Sequence, residues 1–457
     1  MKTNKVFGLL AALAILMSFG AACAPSPAQT PEAPAAAPTN APPAVVPPTS
    51  AGGGVIELTL WHEESPPARV AAFQKVIDSF NSTHPNIKVT QAPQSWADIY
   101  AKLYAAVEAD SMPDIVLSIP DMTMAMKLTG ALQPVDDIVK EVDTQYSLMK
   151  SQITPYEYDG HMWAVPMWGM THLIWYNVGM FEKAGIKTPL ESWDDLLAAA
   201  KTLTKDGKFG VALPASQFMF TDQNVYNFMA TNNCEMFDSA GKVTLDSPQC
   251  VKSFELYNEL LKYAPPNAIS WTWGDAELEF VSQTSGMIML FPSMAQYMDA
   301  EAKGGGPFSA MRVPYPPGGK NGSASYSNGA MVFTKDPARY AAVKEFLLYL
   351  HEPDVNGAWL AELEPGVYLP ITAAAAKSES FWSNPVIDYY KAEMNLEVEA
   401  TADGSLFGFE YAPVPVIGRV AGENLLAQIV GKMAISGMTP QEAVTWAANT
   451  IREWQLQ

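Results

Sequence analysis

Hydrophobic residues recur along this chain with two different periods, and the two periods follow each other in a regular order. Residues 56–60 alternate between apolar and polar, as in a half-buried strand, and apolar side chains in 67–80 fall on one helical face. The same succession continues with a strand from Ile87, a helix over 96–109 and a strand over 112–117. This β-α-β-α-β order predicts a parallel sheet with helices on both faces.

A second well-marked pattern lies between residues 163 and 203. An apolar strand is predicted over 173–176, followed by a short helix over 180–184 that ends at Gly185, where a positive φ is expected. Ser192 then has the features of a helix N-cap, because two aspartates follow it in the first turn of an amphipathic segment. The pattern therefore predicts a strand, a turn of helix, a proline-containing loop and a longer helix.

The residues of this segment also carry a resemblance. The order of an apolar strand, Tyr-Asn, Phe-Glu-Lys-Ala-Gly-Ile, a proline and Ser-Trp-Asp-Asp-Leu-Leu closely resembles a crossover segment of the extracellular solute-binding proteins (family 1) of carbohydrate ABC importers, the family of the maltose-binding protein. Residues 280–290, 313–319, 366–370 and 439–443 resemble later segments of that family in the same order. The resemblance implies an α/β, two-lobed periplasmic-binding-protein fold of type II, in which three crossover segments form a hinge.

The first 54 residues have the composition of an export signal and a tether. Two lysines precede an apolar run over 6–17, and Gly-Ala-Ala-Cys at 20–23 resembles the cleavage site of bacterial lipoproteins. We therefore predict a signal peptide over 1–22, acylation of Cys23 and a tether over 23–54 that is rich in proline and alanine. The resemblance divides the remainder into a first lobe, 55–168 with 318–366, and a second lobe, 169–317 with 367–457.

Composition excludes some classes of function. A net charge of −20 argues against nucleic acid as a partner, because phosphate binding needs basic patches. The sequence lacks G-x-S-x-G, Walker A, dinucleotide-glycine and H-E-x-x-H motifs, and none of its five histidines has the spacing of metal ligands. We therefore expect that the protein is not an enzyme and that it binds no metal and no cofactor.

The chain has three cysteines. Cys234 and Cys250 remain after Cys23, and in an exported protein we expect them to form a disulfide.

Candidate ligand contacts follow from the chemistry of sugars, which present apolar C–H faces and hydroxyl groups. Aromatic side chains suit the faces, and acidic or amide side chains suit the hydroxyls. Open α/β sheets bind ligands at the carboxyl ends of their strands, so residues at these ends are expected to contact the ligand. Positions that match ligand contacts of the family are candidates as well. At 291–293 the family's Gly-Pro-Trp turn is replaced by Phe-Pro-Ser, which removes one expected platform. The candidates are Trp61, His62, Glu63, Trp96, Asp121, Trp168, Asp222, Trp271, Trp273, Tyr326, Asn328, Tyr368, Phe409 and Arg419.

Together these features predict a monomeric receptor, lipid-anchored on the outer face of a bacterial membrane. It binds a sugar or oligosaccharide between its lobes and delivers it to the permease of an ABC importer. Two alternatives remain open from the sequence. One is a receptor for another solute, such as a polyol phosphate, a polyamine or a peptide. The other is a secreted glycoside-processing enzyme, which needs two carboxylates facing each other across the cleft.

Overall fold

The computed structural model describes residues 54–96, 98–411 and 413–456. The predicted signal peptide, Cys23 and nearly all of the tether lie outside these residues. Among the described helices, none has the length and apolar character needed to cross a membrane. The described chain alternates short strands with helices, which fits the mixed α/β class expected from the sequence.

The strands, in chain order, are β1 (Ile56–His62), β2 (Ile87–Pro93), β3 (Ile115–Ser118), β4 (Glu157–Tyr158), β5 (His161–Met162), β6 (Val165–Thr171), β7 (Leu173–Asn177), β8 (Met287–Leu290), β9 (Phe308–Met311) and β10 (Ser325–Val332). The helices are α1 (Pro67–Thr83), α2 (Ile99–Glu108), α3 (Pro120–Leu128), α4 (Asp136–Tyr146), α5 (Lys150–Ile153), α6 (Val178–Ala184), α7 (Trp193–Leu203), α8 (Met219–Thr231), α9 (Pro248–Leu261), α10 (Trp273–Val281), α11 (Met294–Ala302), α12 (Pro337–His351), α13 (Pro353–Leu363), α14 (Glu379–Trp382), α15 (Pro385–Tyr389), α16 (Lys391–Ala402), α17 (Ile417–Gly422), α18 (Leu425–Ala434) and α19 (Pro440–Gln455).

The first lobe is built on a five-stranded sheet with the order β2-β1-β3-β10-β6. Strand β1 is parallel to both β2 and β3, as the sequence predicts, whereas β10 is antiparallel to β3 and β6. Helices α1, α12 and α13 pack against one another beside this sheet. Because β10 runs in the opposite direction, its first residues lie at the same edge as the carboxyl ends of β1, β3 and β6.

The second lobe has a smaller antiparallel sheet with the order β8-β7-β9. Parallel bridges from Phe209 to Ser285 and from Ala212 to Ile288 add a further extended segment beside β8. Helices α8, α9, α18 and α19 pack together in this lobe. Cys234, just beyond α8, forms a disulfide with Cys250 in the first turn of α9.

Three segments connect the lobes. Only His172 separates β6 of the first sheet from β7 of the second. The second connection leads from β9 to β10, and the third includes Leu369, which exchanges two backbone hydrogen bonds with Gly169 of β6 at 3.0 and 2.9 Å. Beyond the third connection, α14 packs against α13 of the first lobe, although the sequence assigns 367–457 to the second. The lobe boundaries stay a prediction.

Local signals in the sequence place the helix ends well. Gly185 ends α6 with a φ of 68°, and Ser192 caps α7 by accepting a hydrogen bond from the Asp195 amide at 3.1 Å. The predicted start of α1 is confirmed at Pro67. The helix predicted from Trp96 instead begins at Ile99, because Asp98 has a non-helical φ of −132°.

Candidate functional site

Polar side chains collect at one edge of the first sheet, where several strands end. Glu63 follows β1, Asp121 lies in the first turn of α3 just after β3, and Tyr326 is the second residue of β10. The strand directions bring these positions to the same edge, as expected for an α/β sheet whose ligand site lies beyond the carboxyl ends of its strands. This edge is our candidate site.

Glu63 is the most strongly perturbed acid at this edge. Its side chain is buried, with a relative exposure of 2%, and its Oε1 atom has no hydrogen-bond partner among the described residues. The pKa of Glu63 is raised to about 8, mainly by burial, with a lowering contribution from the Ser118 hydroxyl and smaller raising contributions from the carboxyls of Glu64 and Asp121. The carboxyl is therefore largely neutral at pH 7 unless a ligand compensates its charge.

Asp121 is held beside Glu63 by the start of α3, where the helix dipole favours an acid. The Tyr100 hydroxyl of α2 donates a hydrogen bond to its carboxylate. Burial raises the pKa of Asp121 to about 6, while the bond from Tyr100 lowers it. Tyr100 was not among the sequence candidates. Its position in the first turn of the helix after β2 was the only signal that could have pointed to it.

The second lobe contributes α8 and the start of α10. The Trp273 indole donates to the Gln223 side-chain oxygen at 2.8 Å, and Phe218 packs edge-on against the same indole with ring centroids 4.7 Å apart. Asp222 is buried next to Gln223. Its Oδ1 accepts from the Ala427 amide in the first turn of α18 at 2.6 Å, while its Oδ2 has no partner among the described residues. Burial raises the pKa of Asp222 well above its ordinary value.

Tyr326 connects the two groups. Burial raises its pKa well above the ordinary value, and the next largest contributions come from Asp222 of the second lobe and Asp121 of the first. Its hydroxyl forms no hydrogen bond of good geometry with a described residue. The lobes also meet here, because a Cβ placed on Gly418 of α17 is 3.6 Å from the carbonyl oxygen of Asp121. The edge is thus a cleft whose two walls are in contact.

A second polar cluster spans the lobes beside the cleft. Arg69 of α1 forms ion pairs with Glu64, at 2.7 Å, and with Glu364. Glu277 of α10 accepts from the Ser293 amide at 3.0 Å, and burial raises its pKa to about 7, with Glu364 raising it and Arg69 lowering it. Tyr368, a sequence candidate, donates from its hydroxyl to Glu64. Arg69 and Glu277 were missed because nothing in their local sequence indicates a partner in the other lobe.

Two sequence candidates lie in the core of the first lobe rather than in the cleft. Trp168 is fully buried, and its indole packs edge-on against Trp359 and Tyr368 with ring centroids 5.5 and 5.6 Å apart. His62 is stacked on Phe73 at 4.0 Å. Both side chains pack against Phe73 of α1, which covers one face of the first sheet. The structure thus places Trp168 in an aromatic cluster of the first lobe, and its contact with a ligand stays a prediction.

The remaining candidates are spread over several environments. Trp61 is half-buried in β1, and Trp96 after β2 is exposed, with a relative exposure of 41%. Asn328 is buried in β10 opposite Trp168. The structure buries Trp271 and Phe409, and it places the Arg419 guanidinium 4.4 Å from the centre of the Trp454 ring. It therefore brings together Glu63, Asp121, Asp222, Trp273 and Tyr326, and it does not bring Trp168, His62 or Trp271 into that group.

Other features give no competing site. A cavity of about 710 Å³ lies elsewhere, between the loop of Thr188 and Leu190 and the segment of Arg312 and Tyr315, and none of the cleft carboxyls lines it. Among the described residues, no three histidine, cysteine or acidic side chains are grouped so that they could hold a metal ion. The cleft consequently offers acids, hydroxyls and indoles, which is a set suited to binding a polar organic solute.

Two sheets joined by three connections, with polar residues from both walls meeting in a cleft, define a two-lobed binding protein. Residues 64–357 match the family model described as bacterial extracellular solute-binding protein, and the chain belongs to that family. The type II periplasmic-binding-protein fold expected from the sequence is confirmed.

Individual relatives are distant. The chain is 23% identical over 398 residues to YcjN of Escherichia coli K12, whose name assigns it to the periplasmic-binding proteins of ABC transporters; the match covers 84% of this chain and 87% of that protein. It is 25% identical over 427 residues to the sn-glycerol-3-phosphate-binding periplasmic protein UgpB of Escherichia coli O1:K1, with 86% and 91% covered. The crystal structure of the cyclic α-maltosyl-1,6-maltose binding protein from Arthrobacter globiformis superimposes with a TM-score of 0.71 at 20% identity, covering 87% of this chain and 99% of that one.

Proposed function

We propose that this protein binds a sugar or oligosaccharide in the cleft between its lobes and delivers it to the permease of an ABC importer. The observation that carries the proposal is that buried acids of both lobes, Asp121 of one and Asp222 of the other, both raise the pKa of the buried Tyr326 hydroxyl at the start of β10. A solute that bonds to both walls favours the closed arrangement over the open one, and it is this difference in affinity that drives closure.

The chemistry of the cleft supports a hydroxyl-rich ligand. Glu63, Asp121 and Gln223 offer hydrogen-bonding oxygens, and the indole of Trp273 offers a flat apolar surface for a sugar ring. A relative is named for a cyclic maltosyl-maltose and another for a glycerol phosphate, so both kinds of solute occur among proteins similar to this one. A phosphate ligand needs cationic partners, and no described lysine or arginine forms an ion pair with Glu63, Asp121 or Asp222. We therefore favour the sugar.

The proposal includes three further features. The protein acts without catalysis, since its role is to hold a solute and release it unchanged. It works as a monomer, because one chain supplies both walls of the cleft. Acylated Cys23 anchors it on the outer face of the membrane, and the segment from Ala24 to Gly54 lets the lobes reach the permease.

A thermal-shift screen tests the proposal. The purified protein is heated with mono- and oligosaccharides, glycerol phosphates, polyamines and short peptides. A solute present at 100 times its Kd stabilises the folded state by about 2.7 kcal/mol, which raises the melting temperature measurably. We expect carbohydrates to give the largest shifts. Stabilisation by glycerol phosphates alone, or hydrolysis of chromogenic glycosides, would contradict the proposal.

A further inference from the structure

No described lysine or arginine forms an ion pair that balances the acids of the cleft. Glu63 and Asp121 are both buried, and neither forms an ion pair with a lysine or arginine in the described part of the chain. The contributions to their pKa values come from burial, hydrogen bonds and other acids, with no cation among them. Arg69 lies beside this region, but Glu64 and Glu364 already bind it. Two adjacent acids therefore face the cleft without a counter-charge.

The unpartnered atoms at the cleft are mainly hydrogen-bond acceptors. Glu63 Oε1 and Asp222 Oδ2 have no partner among the described residues, although each belongs to a side chain that is more than nine-tenths buried. The Tyr326 hydroxyl, with a relative exposure of 4%, also forms no hydrogen bond of good geometry with a described residue, and Asp222 and Asp121 both raise its pKa. An unsatisfied buried acceptor is costly, so these atoms mark where a ligand donates hydrogen bonds.

A neutral sugar meets only part of this requirement. Each hydroxyl is both a donor and an acceptor, and it brings no charge that would favour ionisation of the two neighbouring carboxyl groups. A protonated amine is donor-only, with three N–H groups and a full positive charge, and attraction between unit charges is strong where water is excluded. The aromatic side chain of Trp273 adds to this preference, because an indole face can also attract a cation.

We propose that the natural ligand carries a protonated amine, as in an amino sugar, and that Glu63 and Asp121 bind this amine. The inference rests on the proposed function, since it assigns the chemistry of the same cleft. Asp222 is less directly involved, because the first turn of α18 already compensates one of its oxygens. Tyr100 acts as a positioning residue that holds the Asp121 carboxylate through its hydroxyl.

Matched pairs of sugars test this proposal by titration calorimetry. Each pair consists of a neutral sugar and its amino counterpart of the same length: glucose and glucosamine, cellobiose and the glucosamine disaccharide, and the corresponding trisaccharides. The N-acetylated form of each amino sugar serves as a third member that keeps the nitrogen but loses the charge. We expect at least one amino sugar to bind about tenfold or more tightly than both of its neutral counterparts.

Substitutions at Glu63 and Asp121 test whether these two residues cause the preference for the amino sugar. Glu63→Gln and Asp121→Asn keep the shape of each side chain, and each should lower the preference for the amine by about tenfold while a neutral sugar loses little affinity. Glu255→Gln, on an exposed position of α9, serves as the control and should leave the preference unchanged. Melting temperatures identify any variant that is poorly folded, and in that case the second variant and the N-acetyl comparison still decide.

The outcomes separate the two proposals. Equal or tighter binding of the neutral member in every pair overturns the amine proposal and leaves the sugar receptor standing. Binding of spermidine without any sugar supports the amine and overturns the carbohydrate. Binding of glycerol phosphates alone overturns both, and so does the absence of binding to every member of the panel.

Discussion

The hydroxyl of Thr171, the last residue of β6, lies 2.8 Å from the hydroxyl of Ser325, the first residue of β10. Thr171 also lies 2.7 Å from the hydroxyl of Thr401 in α16, and all three side chains are buried. The three residues belong to β6, β10 and α16, which are far apart in the sequence. Hydrogen bonds between their hydroxyls therefore connect these three elements near the junction of the lobes.

Removing the central hydroxyl should weaken this junction. Thr171→Val keeps the shape of the side chain but leaves Ser325 and Thr401 each with one hydrogen bond fewer, and we expect the free energy of unfolding to fall by about 1–2 kcal/mol. Thr202→Val is the control, because the Thr202 hydroxyl is exposed and bonds only to the Ala198 carbonyl of its own helix. Urea denaturation of both variants measures the difference. Equal stability of the two would show that the junction does not depend on this network.

Arg69 should be more important for stability than other cations of α1. It is the shared partner of Glu64 and Glu364, and Arg69→Met leaves these acids and Glu277 without compensation, which should cost about 2–3 kcal/mol. The matched control is Lys75→Met on the same helix, since the pair of Lys75 with Glu362 is exposed and should contribute less than about 1 kcal/mol.

The Arg69 effect should also depend on pH. The folded-state pKa of Glu277 lies at about 7, above its ordinary 4.5, so Glu277 lowers stability progressively as the pH rises through this interval. Without Arg69 this loss grows, and the variant should differ more from the parent protein at pH 8 than at pH 5. Thermal melts at the two pH values measure this. A difference that is constant with pH would contradict the assignment of Glu277 to the cluster.

Gly329 should not tolerate a side chain. A Cβ at this position in β10 comes within 2.6 Å of the Tyr156 ring, whose hydroxyl donates to the Ser327 carbonyl at 2.9 Å. Gly329→Ala must displace a buried ring and should destabilise the protein by about 1–3 kcal/mol. Gly431→Ala is the control: nothing lies within 4 Å of its Cβ position in α18, so alanine should stabilise the helix by about 0.5–1 kcal/mol. Chemical denaturation should therefore shift in opposite directions for the two variants.

Glu397 should make the stability of the protein fall as the pH rises above the ordinary pKa of a glutamate. It is fully buried in α16, neither of its carboxyl oxygens has a partner among the described residues, and burial raises its pKa well above the ordinary value. The folded state therefore holds a proton that the unfolded state releases, and stability falls as the pH rises above the unfolded-state pKa.

Glu397→Gln should remove this dependence. The variant should gain on the parent protein by up to about 1.4 kcal/mol per pH unit above the ordinary pKa, with little difference at pH 4. Melting curves between pH 4 and 9 measure the gain, and exposed Glu399→Gln provides the control. A gain that does not grow with pH would contradict the burial of an uncompensated carboxyl.

Features that depend on a few neighbouring residues could be predicted from the sequence. Gly185 and Ser192 were placed correctly as helix ends because a positive φ and an N-cap hydrogen bond are local properties. The order of strands and helices was predictable for the same reason. Membership of the family, expected from the order of its segments along the chain, is confirmed by the match of residues 64–357 to the family model.

The orientation of side chains in buried strands was not predictable in the same way. Six of the seven residues of β6 are buried, so no alternation tells which side faces the cleft, and Trp168 was placed there although it lies in an aromatic cluster. Glu277 and Tyr100 were missed because their partners are remote in sequence. The contacts of Glu63 and Asp121 with a ligand stay a prediction.

The bond between Cys234 and Cys250 lies wholly within the second lobe. Cys234 follows the C-terminal end of α8, whereas Asp222 is near the N-terminal end, roughly 15–20 Å away along the helix. Reduction of this disulfide should therefore lower the rigidity of the second lobe and leave the hinge motion between the lobes unchanged. A reductant should lower the heat tolerance of the protein well before it impairs capture of the solute, so the two properties can be tuned independently.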